Sequence, residues 1–134
     1  FMQPDIDIER LTVESKARLS TSADIALPAR WIALLSSVTK SDLALSSGIH
    51  SSTEMVKGIM SGAMVTQCVS EFLLHGVKVA HKMLADLDSW MDTHGYESVE
   101  EMRGTMAVER VDNPIAFERA NYIAALRSYN ENVL

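Results

Sequence analysis

Residues 43–70 read LALSSGIHSSTEMVKGIMSGAMVTQCVS, and the small residues in that stretch set how the rest of the chain is understood. Two short apolar runs, Asp42–Ser46 and Met64–Val69, each end in small residues and each lead into a helical pattern. Between them, Ser51 or Ser52 suits the N-cap of a helix carrying Met55, Val56, Ile59 and Met60, and Gly62 closes it. A strand, a helix and a strand in such quick succession form a parallel β-α-β unit, because a parallel pair needs a crossover of about a dozen or more residues. Continuous apolar strands also fit a sheet covered on both faces. The spacing therefore predicts adjacent parallel strands at 42–46 and 64–69, with a helix over about 52–61 crossing between them.

Where a parallel strand ends and its helix begins, backbone N–H groups and the helix dipole point the same way. Two adjacent turns of this kind can hold one dianionic phosphate. In β/α barrels that place belongs to the loops after strands seven and eight. SSGIHS and VSEF carry suitable residues: Gly48 permits close backbone approach, and Ser46, Ser47 and Ser70 can donate hydroxyls. The same residues also serve as plain turn and capping residues, since strand-glycine-helix turns are common without a ligand. Both readings stand open on spacing alone.

Outward from this unit, Leu11–Leu19 shows partial period-two alternation, which predicts a short exposed strand or hairpin arm, while FMQPDIDIE at the start reads as a loop. From Thr21, capping residues precede an apolar pattern of Leu27, Trp31, Leu34, Leu35 and Val38, with Pro28 in the first helical turn. After Ser70 a long helical stretch carries Phe72, Leu73, Val77, Ala80, Met83, Leu84, Leu87, Trp90 and Met91, bent or broken at Gly76 and stopped at His94–Gly95. SVEEMRG reads as a short capped helix, and a final helix begins after Pro114. Two apolar strands cannot make a stable parallel sheet alone, so further strands are expected from elsewhere. The start at Phe1 suggests an excerpt of a longer protein.

The 134 residues amount to about one domain, and 12 basic against 18 acidic residues give a formal charge of -6 with no basic stripe, which argues against a nucleic-acid partner. The single Cys68 excludes an internal disulfide framework. No apolar run is long enough for a membrane span and no signal segment is visible, so the reading is cytoplasmic. Cys68 reads as a small hydrophobe in mid-strand. His75 and His81 point in different directions on a helix, and His50 and His94 lie in turns without partners at ligand spacing. Asp5, Asp7 and Glu9 read as a solvated turn, and Asp86, Asp88 and Asp92 as a solvated helix face.

Taken together, FMQPDIDIE, LPARWIALL, LALSSGIHSSTEMVKGIMSGAMVTQCVSEFLLHG, HGYESVEEMRG and NPIAFERANYI resemble the C-terminal portion of the dihydroorotate dehydrogenase-like flavoproteins along nearly the whole chain. The resemblance implies the C-terminal part of an FMN-binding TIM (β/α)8 barrel, strands seven and eight with their helices plus C-terminal helices. The implied activity is oxidation of dihydroorotate, or a related small molecule, to orotate by hydride transfer to FMN. Carried over, Ser46, Ser47, Gly48 and Ile49 line one side of the FMN phosphate, and Val69 and Ser70 the other. The family has a pair of glycines where this chain has Ser47 and Gly48, and often Gly-Thr where it has Val69 and Ser70. The family's catalytic base, flavin-contacting lysine and orotate-holding asparagines match no residue here, so no catalytic residue is assigned. The chain alone is therefore expected to be inactive, and to need the missing N-terminal half or a homo-oligomer. The alternative is an inactive helical interaction module that keeps half of the barrel's sequence.

Overall fold

The structure is a computed structural model that describes residues 2–112, 114 and 115. Its elements are β1 (Met2–Asp7), β2 (Thr12–Ala17), a 3-10 turn (Ser22–Ile25), α1 (Ala26–Leu35), β3 (Ala44–Ser46), α2 (Ser52–Ser61), β4 (Val65–Gln67), α3 (Ser70–His75), α4 (Val79–His94) and α5 (Val99–Met102). They form a mixed α/β arrangement with two two-stranded sheets, β1–β2 and β3–β4, and no closed barrel among the described residues.

The central unit is the parallel β-α-β predicted above. β3 and β4 pair in parallel with Ala44 opposite Val65, Leu45 opposite Thr66 and Ser46 opposite Gln67, while α2 connects them. Both strands are shorter than the apolar runs that announced them. Ser51 caps α2, its hydroxyl oxygen accepting from the Thr53 N–H at 3.2 Å and its hydroxyl donating to Glu54 Oε2 at 2.7 Å. The helix ends at Gly62, whose φ of 111° is a left-handed value that favours glycine. On one side of α2 lies a cluster of Ile25, Ile32, Leu45, Ile49, Ala63 and Met83. On the other, Val56 and Ile59 pack with Leu87, Met91 and Met102. Each such large side chain contributes about 1.5–3 kcal/mol on burial, so this unit is where the fold is held.

Helix α1 forms where the capping and apolar pattern place it, yet it buries a different face from the expected one. Ile32 and Ala33 are buried, whereas Leu27, Trp31 and Val38 are 61%, 53% and 78% exposed. Close approach at two glycines accounts for this. A Cβ at Gly48 would stand 2.3 Å from the Ile25 nitrogen, and one at Gly62 would stand 2.6 Å from Ser36 Cβ. Ile25, Ile32 and Ser36 follow one another at i, i+7 and i+11, a single helical stripe. That stripe docks on the glycines, and Leu27, Trp31, Leu35 and Val38 on the neighbouring stripe stay uncovered among the described residues.

At the N-terminal end the expected loop is instead a strand. β1 pairs antiparallel with β2, Asp5 opposite Glu14, Ile6 opposite Val13 and Asp7 opposite Thr12. The Asp7 carboxylate closes the connection by accepting from the N–H groups of Glu9 at 3.0 Å and Arg10 at 2.9 Å, a local Asx-type turn that the acidic alternation did not announce. Beyond the sheet, the long helical pattern breaks at Gly76 into α3 and α4, and α4 buries Met83, Leu87 and Met91 at i, i+4 and i+8. Gly95 ends α4 in a left-handed conformation, and Ser98 caps α5 by accepting from the Glu101 N–H at 3.1 Å. The final helix expected after Pro114 lies outside the described residues. Among the described residues, no helix is long and apolar enough to cross a membrane.

Candidate functional site

The six residues singled out for phosphate binding all lie at one end of the β3–β4 sheet, because Ser46 and Gln67 are paired where the two strands finish. On the first side, Ser46 is exposed, and Ser47 and Gly48 follow with φ of 81° and 77°. Two consecutive left-handed residues turn the chain sharply toward α2. Ser47 adopts this conformation with a side chain, at a cost of about 1 kcal/mol relative to glycine. It is one of the positions where the resembled family carries glycine. Ile49 is only 2% exposed and belongs to the core, so its backbone rather than its side chain faces the turn region. On the second side, Val69 is 59% exposed and Ser70 opens α3.

Gly48 has a packing explanation. Its missing Cβ would meet the backbone of Ile25 and Asp24, at 2.3 to 2.9 Å, so the close approach is between this turn and the 3-10 turn. The sequence left Gly48 open between a phosphate cradle and a plain turn residue; at the position of its missing Cβ the structure has the backbone of Ile25 and Asp24.

A third segment reaches the site that sequence reasoning did not place there. Ser20, in the loop after β2, donates to Ser70 Oγ from its N–H at 2.9 Å and from its hydroxyl at 2.9 Å. Ser20 Oγ also lies 3.3 Å from His50 Nε2. The opposite ring nitrogen, His50 Nδ1, lies 3.0 Å from Glu71 Oε2, and Glu71 Oε1 lies 2.8 Å from His75 Nδ1. A carboxylate accepts and does not donate, so the Glu71 contact puts a proton on His50 Nδ1. His50 and Glu71 are largely buried, at 13% and 12% side-chain exposure, which shields their pairing from solvent. The resulting chain, Ser70–Ser20–His50–Glu71–His75, ties three parts of the fold to one sheet end. His50 therefore has a carboxylate partner after all, across 21 residues of sequence.

The loop bearing Ser20 is itself fixed. The Asp24 carboxylate accepts from the Thr21 N–H at 2.7 Å and from the Thr21 hydroxyl at 3.1 Å. These hydrogen bonds, the backbone one first, hold its carboxyl below the ordinary value of 3.8, with smaller help from the charges of Arg18 and His50.

Cys68 lies just past the end of β4 rather than in mid-strand, and its thiol donates to the Ile49 carbonyl at 3.3 Å. Burial pushes this thiol up, which disfavours the nucleophilic thiolate. Beside it, Ile49, Phe72 and Met83 help to line an apolar cavity of about 170 Å³ below the turns. His94 stacks on Trp90 with ring centroids 3.9 Å apart. Asp86 pairs with Lys82 on the outer face of α4. Among the described residues, no group of three or more His, Cys, Asp or Glu side chains is placed to hold a metal ion.

The arrangement offers hydroxyl donors, a buried imidazole–carboxylate pair and an exposed rim at the ends of two parallel strands. No protein-family model matches the chain, and no curated protein matches it significantly.

Proposed function

We propose that the chain is the C-terminal part of an FMN-dependent oxidoreductase of the dihydroorotate dehydrogenase type, and that the turns after β3 and β4 hold the phosphate of FMN. The observation that supports this reading is that two parallel strands end side by side, Ser46 and Ser47 closing and following β3 and the Ser20–Ser70 hydroxyl pair lying just past β4. In β/α barrels that position follows strands seven and eight and is a usual phosphate site. β3 and β4 each have a single neighbour among the described residues, which supports their completion by further strands from elsewhere in the same protein or from a second copy.

In this reading Ser70 and the turn at Ser47–Gly48 anchor the phosphate, and Val69 and Ile49 supply backbone around it. FMN, when bound, supplies the hydride acceptor for oxidation of dihydroorotate or a related small molecule. The groups that touch that substrate lie outside this chain, so its own contribution is to bind and orient the cofactor, and alone it is inactive. A cytoplasmic setting belongs to the same proposal.

A second reading, an inactive assembly module, is favoured by one feature: Leu27, Trp31 and Leu35 on α1 and Val38 just after it, uncovered among the described residues. Titration of the protein with FMN and with riboflavin separates the two. Phosphate anchoring predicts FMN binding at least about tenfold tighter than riboflavin, a difference of about 1.4 kcal/mol. Ser70→Ala should weaken FMN alone and leave riboflavin unchanged. Equal affinity for the two flavins, or no flavin binding, removes the FMN reading and leaves the assembly module.

A further inference from the structure

We propose that the apolar cavity beneath the turns after β3 and β4 is a binding site for a small uncharged aromatic molecule, one ring carrying at most a short apolar substituent. The site is separate from the hydroxyls at the sheet end, and it stands whether or not an anion binds there.

Size and access carry the inference first. The cavity measures about 170 Å³. A cavity of about 150 Å³ walled by aliphatic and aromatic side chains stays dry and admits benzene. Ile49 and Met83 close its inner side at 2% and 4% exposure, whereas Leu84, next along α4, is 53% exposed and marks the side that meets solvent. A ring can therefore enter without the domain unfolding.

The chemistry of the wall then narrows the occupant. Phe72 of α3 offers its face or edge to a second ring. Met55 of α2 and Met83 of α4 bring thioethers that are flexible, polarisable and attracted to aromatic rings. The polar residues in the wall, Thr66 of β4 and Cys68, are both neutral: the Cys68 thiol donates to the Ile49 carbonyl at 3.3 Å, and burial holds its proton in place. No charged side chain lines the cavity among the described residues, so a carboxylate or ammonium on the ligand would lose its hydration without gaining a counter-charge. The negative charge of Glu71, which reaches Cys68, opposes an anion further. Ile49 follows Gly48 and Cys68 precedes Val69, so an occupant touches the roots of both turns.

Fluorobenzene is the probe, titrated into the full chain and followed by fluorine NMR. Saturable binding is expected, with displacement by benzene. Benzoate, the same ring with a charge, should displace it at least about tenfold less well. Cys68 is the single cysteine, so its labelling by N-ethylmaleimide is a second readout located in the cavity wall. Saturating benzene should slow that labelling by about threefold or more, with the same midpoint as the fluorine titration. Ala80→Phe, from the α4 side of the wall, puts a ring of the protein's own into the space and should abolish fluorobenzene binding while circular dichroism shows the fold intact. The proposal is overturned if the unsubstituted chain shows no saturable binding, if folded Ala80→Phe still binds, if benzoate competes as well as benzene, or if Cys68 labelling is unmoved at saturation. Should Ala80→Phe fail to fold, protection of Cys68 in the unsubstituted chain decides the matter.

Discussion

The two small sheets of this protein consist of the same number of strands and have opposite standing in the fold. The β1–β2 hairpin pairs six residues on each strand, and β3–β4 pairs only three. Yet the hairpin leaves Ile6 and Val13 in its strands and Ile8 and Leu11 in its turn between 70% and 86% exposed, whereas Leu45 in the shorter ladder is 1% exposed. Backbone hydrogen bonds exchange water partners for protein partners at little net gain, while covering apolar side chains stabilises directly. The short parallel pair is thus held by α2 packed across it, and the hairpin, with its apolar side chains in solvent, is marginal alone. Pairing length is a poor guide to which sheet organises a domain.

The sharpest way to break this comparison is to put an alanine into each sheet region. Gly48→Ala puts a Cβ at a φ of 77° and within 2.3 Å of the Ile25 nitrogen, where backbone on both sides must move. Strain of that kind with a steric clash should destabilise by about 3 kcal/mol or more. Val13→Ala in the hairpin, at a side chain 72% exposed, should change stability by no more than about 0.5 kcal/mol. Urea unfolding of the two variants measures both. Comparable losses would mean that the hairpin is packed as firmly as the parallel unit.

The same contrast explains what the sequence made legible. The β-α-β unit was readable because each of its signals is local: Ser51 caps, Gly62 stops, and the apolar runs bracket them. The break at Gly76 and the stop at Gly95 were local too. The face that α1 buries was not, since it is set by Gly48 and Gly62, which lie beyond the helix in sequence. Trp31 and Leu27 looked like core by period alone, and period cannot report which stripe meets a glycine. At the site, the six turn residues stood in one stretch and could be grouped. Ser20 joins Ser70 across 50 residues, and Glu71 joins His50 across 21, spacings that carry no pattern. Strand β1 escaped notice because its alternation is carried by acids and its partner lies just ahead in the chain.

A smaller effect of the opposite sign sharpens the comparison within the parallel unit. Ser47 and Gly48 share the left-handed conformation, but Gly48 is pressed on Ile25 and Ser47 is partly exposed. Ser47→Gly relieves the cost of a Cβ at a φ of 81° and in return frees the unfolded chain. The first term is about 1–2 kcal/mol and the second about 0.5–1 kcal/mol, so a net stabilisation of about 0.5–1 kcal/mol is expected. Thermal unfolding reads it as a raised Tm. A lowered Tm would mean that the Ser47 side chain makes a contact worth more than its backbone strain.

The smallest effect concerns the loop that joins the two regions. Asp24 ties the 3-10 turn back to Thr21, next to Ser20, and its carboxyl lies below its ordinary 3.8 chiefly because the Thr21 N–H donates to it. A carboxyl lowered in the folded state stabilises that state while ionised. The contribution is therefore present above the unfolded value of 3.8 and is lost as pH falls through the lower folded value. Asp24→Asn should melt slightly below the unsubstituted protein at neutral pH, and the gap should close in acid as the wild-type carboxyl takes up its proton. Asparagine still accepts from the Thr21 N–H through its amide oxygen, which removes the charge while leaving the cap, so the remaining difference isolates the ionic part of the tie. A gap that stayed constant down through the acid range would mean that shape and not charge holds the Ser20 loop against α3. The hairpin would then be joined to the parallel unit without help from that charge, through packing and the Ser20–Ser70 hydrogen bonds.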